Sequence, residues 1–204
     1  MRESGSVRAK AEFELRLSLK AIQLAGGGVL LDQGIHLVDL LRLFTGEFTD
    51  VHSFIANNVW NHDVEDNAYA LMRTKDGKVA MLHSSASQWR HRFGLEITLT
   101  KGALTMAGIL SGSKSYGDEI LTIARTTGDD RGDPKEETRH YYHDPSWSDE
   151  VAEFAETVLK DTPIRYGSSE DALNTMKLVY QIYCADPDWK TQWNLSDEVP
   201  HDPA

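Results

Sequence analysis

Between residues 50 and 142 the sequence runs as short apolar or alternating stretches broken by turn signals, and this constrains the fold more than any other feature. Residues 51–59, 68–74, 79–87, 95–100 and 104–107 have the alternation and β-branched content of strands, and 120–126 and 137–142 add two more. Lys75-Asp76-Gly77-Lys78 has hairpin-turn chemistry, whereas the Gly- and Pro-broken stretch 128–135 reads as a solvated turn. Helical periodicity lies on either side of this block. The chain is therefore expected to build sheet in its middle and helices from its flanks.

The first helical segment follows Gly26-Gly27-Gly28. Ile35, Val38, Leu41 and Leu43 recur at helical spacing, Asp32 has the chemistry of an N-cap, and Gly46 that of a stop. Asp32 and His36 then stand four residues apart on one face, about a turn from each other. A carboxylate that orients an imidazole makes a proton-transfer pair. On spacing alone a second reading stays open, in which Asp32 only caps and His36 is a hydrogen-bonded histidine at the edge of the core.

From residue 146 the helical period returns. Ser146-x-x-Asp149 resembles a capping box before Val151, Phe154, Ala155, Val158 and Leu159; Ser168-x-x-Asp171 does the same before Ala172, Met176, Val179, Tyr180 and Tyr183. Two such helices can cover one face of a sheet and leave the other to water or a partner. Residues 1–25 read as a leading segment, a strand from the alternation of Phe13, Leu15, Leu17 and Leu19, and 185–204 as a loosely ordered tail that pins Trp189 or Trp193 to the body.

Composition bounds the function classes. The 204 residues, 40% hydrophobic and 26% charged, suffice for one substantial core in residues 26–184. A net charge of −11 disfavours nucleic acid and anionic membranes as partners. No apolar run has the length of a membrane span or the form of a signal peptide, so a cytoplasmic location is expected. The single cysteine, Cys184, excludes an intramolecular disulfide. The eight histidines lack the compact spacing of metal ligands, so no metal is expected.

Gly26-Gly27-Gly28-Val29-Leu30-Leu31-Asp32-Gln33-Gly34-Ile35-His36-Leu37-Val38-Asp39-Leu40-Leu41-Arg42 resembles the signature that opens the second domain of the Gfo/Idh/MocA oxidoreductases. The resemblance continues in order through Asp63-Val64-Glu65-Asp66-Asn67-Ala68, Lys75-Asp76-Gly77, Leu95-Glu96-Ile97 and Lys101-Gly102-Ala103-Leu104. It implies an α+β fold, a large, mostly antiparallel sheet with helices packed on one face. No Rossmann domain is expected, because the Gly-x-Gly-x-x-Gly turn and its distal acid are missing. By resemblance His36 is the catalytic acid/base and Asp32 its partner. The substrate is a sugar, cyclitol or nucleotide-sugar hydroxyl, and the cofactor is NAD or NADP, whose binding site lies mostly outside this chain. A homo-oligomer through the open sheet face and a separate dinucleotide-binding subunit are the implied partners.

Two further groups are candidates for substrate binding. Trp89-Arg90-His91-Arg92 offers an aromatic wall and cationic donors to a sugar or its phosphate, and Trp60, within Asn57-Asn58-Val59-Trp60-Asn61-His62, a second aromatic surface. Both stretches also read as ordinary solvated loops. The alternative to an enzyme half is a non-catalytic dimerisation or partner-binding module.

Overall fold

The computed structural model describes residues 26–111 and 115–196, so the strand expected in the leading segment lies outside the described residues. They contain a π-helical turn, Leu30–Gly34, four α-helices and seven strands. The helices are α1 (Ile35–Thr45), α2 (Ser146–Lys160), α3 (Ser169–Cys184) and α4 (Pro187–Gln192). The strands are β1 (Phe48–Ala56), β2 (Asn67–Thr74), β3 (Val79–Ser85), β4 (Gly94–Leu99), β5 (Gly102–Ala107), β6 (Glu119–Arg125) and β7 (Lys135–Tyr141). Every strand pair is antiparallel, in a three-stranded sheet β1-β2-β3 and a four-stranded sheet β4-β5-β6-β7. The class is α+β, as the sequence implies. The ladder hydrogen bonds group the strands into two sheets, with bends and irregular backbone between Ser85 and Gly94.

The chain divides into two compact units, Gln88–Arg165 and the remainder. In the remainder, the inner face of β1-β2-β3 is built from small or slender side chains: Ser53, Ala68, Ala70, Met72, Ala80 and Leu82 are buried. Such a face admits helices at short range, and Val38 and Leu41 of α1 with Leu178, Val179 and Ile182 of α3 complete the core. Side chains alternate across strands, so the other face is open, with Phe54 opposite Tyr69 and Leu71 opposite Met81.

Polar ties lock the layers. The Ser53 hydroxyl donates to the carbonyl of Ile182 at 2.6 Å, binding α3 to β1. Buried Arg42 on α1 donates to Glu47 at 2.6 Å, Thr175 Oγ1 at 2.6 Å and the Asp171 carbonyl at 3.1 Å. One planar guanidinium thereby crosslinks α1, the α1–β1 turn and α3. Gly46 ends α1 at φ 86°, a conformation costly for other residues, and its N–H donates to the Arg42 carbonyl. Ser168 caps α3 as expected, accepting from the Asp171 N–H at 3.2 Å.

Two local expectations are corrected. Ser146 does not cap α2: Pro145 stands at the N-cap, and the Asp144 carboxylate accepts the Ser146 N–H at 3.0 Å. The proline ring already sets a turn, so the acid before it takes the first amide. Nor is residue 185 the start of a loose tail. Asp186 accepts from the N–H groups of Asp188 and Trp189 and starts α4, while its other oxygen accepts from Ile55 on β1 at 2.6 Å. Trp189 is buried as a result, in keeping with the expected pinning.

In the unit Gln88–Arg165, a four-strand meander aligns Leu95, Met106 and Leu121 in one row and Ile97, Leu104 and Ile123 in the next, on one face. Helix α2 buries no residue; Trp147, Val151, Phe154 and Val158 are all exposed. The expectation that both long helices would cover sheet therefore holds for α3 alone.

Candidate functional site

The turn that bears Asp32 and His36 is held from below by a residue 35 positions away in the chain from Leu30. Glu65, 2% exposed, accepts the N–H of Gly28 at 2.8 Å on one carboxylate oxygen and that of Leu30 at 2.9 Å on the other. The Tyr183 hydroxyl donates to the latter oxygen at 2.7 Å. The Val29 N–H is taken by the Glu65 carbonyl at 3.3 Å, and the Val29 carbonyl accepts from Ser84 Oγ at 3.1 Å. The first N–H groups of a helix have no partner within it, and here a buried acid from the approach to β2 supplies one. Burial pushes the Glu65 carboxyl above its ordinary range, against the pull of the hydrogen bonds from Tyr183 and the two amides. Burial likewise drives the Tyr183 hydroxyl upward, reinforced by the Glu65 charge.

This contact explains the glycines. A Cβ on Gly28 would lie 2.1 Å from the Glu65 carbonyl oxygen, and one on Gly27 would lie 2.5 Å from the Tyr183 hydroxyl. No other residue lets the backbone come this close.

Asp32 is therefore not the N-cap that its position suggested. It lies inside the π-helical turn, its N–H donates to the Gly28 carbonyl at 3.0 Å, and its exposed carboxylate accepts from Gln33 Nε2 at 3.0 Å. Because Glu65 satisfies the leading amides, winding begins before Asp32 and leaves its carboxylate free of capping duty. His36 follows in the first turn of α1 and is also exposed. Single π-turns within α-helices occur often where function requires a redirected side chain. Behind the glycine run lies a cleft of ≈ 140 Å³ walled by Leu31, Tyr183, Trp189 and Trp193 among others.

Trp60 sits in the loop between β1 and β2, which Asp66 organises. The Asp66 carboxylate accepts from the N–H groups of Asn58, Val59 and Trp60 at 3.1, 2.7 and 3.1 Å, and from Asn67 Nδ2 at 2.9 Å. Burial raises its pKa, but these donors together outweigh burial and hold the carboxyl below its ordinary range. The Trp60 indole N–H donates to the Ala86 carbonyl at 3.0 Å, so the ring face is what Trp60 can offer a ligand. Trp89 and Arg90 belong to the other unit and are exposed, Trp89 to 92%. On the open face of β2-β3, His83 stacks on Tyr69 with ring centroids 4.3 Å apart, and burial lowers its pKa. Among the described residues, no three His, Cys, Asp or Glu side chains are grouped to hold a metal ion, and no helix is long and apolar enough to cross a membrane.

Glu65, Tyr183, Ser84 and Asp66 were not singled out as site-forming from the sequence. Glu65 and Asp66 fall within the Asp63–Asn67 match noted above, but an acid beside a strand start carries no mark of burial.

Over residues 16–105 the sequence matches the family described as the GFO/IDH/MocA C-terminal domain. Solved structures share the fold. A UDP-N-acetylglucosamine 3-dehydrogenase from Acidithiobacillus ferrooxidans superposes with a TM-score of 0.64 at 20% identity, over 79% of this chain and 48% of its own. For an aldose–aldose oxidoreductase from Caulobacter crescentus, complexed with glycerol, the values are 0.66, 21%, 83% and 48%. For a 3-ketoreductase variant from Actinomadura kijaniata, in complex with TDP-benzene and NADP, they are 0.63, 22%, 83% and 49%. The chain thus spans about half the length of the solved structures it matches. No curated protein matches the sequence.

The Asp66 cradle has a definite pH signature. A carboxyl held below its ordinary value, about 3.9, stabilises the fold above that value and loses its contribution as pH falls through its own lower pKa. Asp66→Asn should cost about 1–3 kcal/mol at pH 7 in urea denaturation. The gap to wild type should narrow as pH falls below the ordinary carboxylate range, and a gap unchanged at low pH would contradict the cradle's charge dependence.

Proposed function

We propose that this chain supplies the acid–base pair and part of the substrate surface of an oxidoreductase acting on a hydroxyl of a sugar, cyclitol or nucleotide sugar. The observation that carries this reading is the placement of Asp32 and His36, both exposed, on a turn fixed by buried hydrogen bonds. A rigid mount with open side chains is what proton transfer to a visiting substrate needs. The family match and the sugar- and nucleotide-sugar-related names of the similar structures support this substrate class.

NAD or NADP would supply the hydride acceptor or donor. Dinucleotide cradles are built on parallel βαβ units, whereas every strand pair among the described residues is antiparallel. The dinucleotide therefore falls to a separate domain or subunit in this reading. His36 takes the hydroxyl proton at the carbon being oxidised, or returns it in the reverse direction. Asp32 accepts a hydrogen bond from the substrate or from the imidazole, and the ring face of Trp60 is offered to a sugar. A cytoplasmic setting, suited to a chain with one cysteine, completes the reading.

NMR titration of the chain with UDP-N-acetylglucosamine tests the assignment. Half a site is expected to bind near 1 mM, about 4 kcal/mol, with shifts centred on Asp32, His36 and the Trp60 loop and abolished by His36→Ala. Shifts confined elsewhere, or none at several times that concentration, would remove the pair from substrate binding.

The open face of β1-β2-β3 favours a second, compatible role as a homodimer surface. Phe54 is 76% exposed and Met81 80%, with Leu71 and Val79 beside them, and contiguous exposed apolar side chains of this kind mark interfaces. Sedimentation should give a dimer that Phe54→Asp with Met81→Asp converts to monomer; a wild-type monomer at all concentrations would contradict this.

A further inference from the structure

We infer that Glu65 is a positioning residue for the Asp32–His36 pair, acting as a long-range cap that sets where the turn carrying both side chains stands. The inference rests on the functional reading above and adds to it a residue that touches neither substrate nor cofactor. Three donors converge on one carboxylate: the Gly28 amide on one oxygen, and the Leu30 amide with the Tyr183 hydroxyl on the other.

The chemistry is selective. All three partners are donors, so both oxygens must accept. A glutamine in the same place presents one acceptor oxygen and an NH2 group, which would face an N–H at one of the two positions. A buried charge is tolerated only where it is fully hydrogen-bonded, and the positive end of the helix directly above it adds to its compensation. Ser84 holds Val29 from the opposite polarity, through its carbonyl, so the strand ends and α3 converge on three consecutive residues, Gly28 to Leu30. Asp32 lies two residues beyond that clasp and His36 six, with only helical backbone between. Rotating or lifting the clasp moves both.

The test compares Glu65→Gln with Arg42→Met, whose guanidinium crosslinks the same helices away from the turn. Both variants and wild type are titrated with UDP-N-acetylglucosamine by NMR, and amide residual dipolar couplings are recorded for residues 30–36. Glu65→Gln should bind at least tenfold more weakly and show altered couplings over 30–36, while couplings in β2 and α3 stay as in wild type. Arg42→Met should unfold at lower temperature yet bind within threefold of wild type. Equal losses in the two variants would mean that affinity follows general stability, and would overturn the positioning role. So would wild-type binding and couplings in Glu65→Gln. Should Glu65→Gln fail to fold, Glu65→Asp takes its place: it draws the carboxylate back by about 1.5 Å, so it cannot span both amides, and the same loss is expected. If wild type itself does not bind, the substrate reading fails, and the couplings alone decide the positioning.

Discussion

The carboxylate of Glu65 under the glycine run is the contact on which the rest of the site depends. A helix that starts at the edge of a core leaves its leading amides without partners, and a local cap such as Asp32 would have to spend its side chain on them. Here a buried acid, 2% exposed, takes two of those amides from outside. The helix can then begin before Asp32, and the Asp32 carboxylate faces solvent. The glycines follow from the same contact, since a side chain at Gly28 would overlap the Glu65 backbone.

Around this clasp, the core is arranged to keep the ends of β2, β3 and α3 fixed together. Alanine and serine on the inner sheet face let α1 and α3 approach, and Ser53, Arg42 and Asp186 each join elements far apart in sequence. These ties are buried or half-buried hydrogen bonds to backbone or hydroxyl groups, so they add direction to what apolar packing holds without direction. The open sheet face, by contrast, carries large apolar side chains with nothing from its own unit over them. A stiff mount on one side and an apolar surface on the other are the two properties that the proposed roles require.

Much of this was legible in the sequence because it is local. All seven described strands coincide with alternating or β-branched runs to within a few residues, the Lys75–Lys78 turn joins β2 to β3, and Gly46 and Ser168 bound helices as read. That Asp32 and His36 lie within one helical stretch also follows from spacing. What was not legible is long-range. The partner of Gly28 and Leu30 is 35 to 37 residues away, that of Thr175 is Arg42, and that of Ile55 is Asp186. Periodicity carries no information about such pairs, and two misreadings have that origin. Asp32 was read as a cap because the true acceptor was invisible, and the residues after Cys184 as loose because the link from Asp186 to β1 was.

Native-state hydrogen exchange at Gly28 and Leu30 tests the account most directly. Both amides belong to a glycine-rich stretch at the start of a helix, where unassisted chains exchange quickly. Donated to a buried carboxylate, they should instead exchange as slowly as the central amides of β2 and β3, through global unfolding. Exchange of these two amides within minutes, while β2 and β3 stay protected, would show that Glu65 does not hold the turn and would remove the foundation of the proposed site.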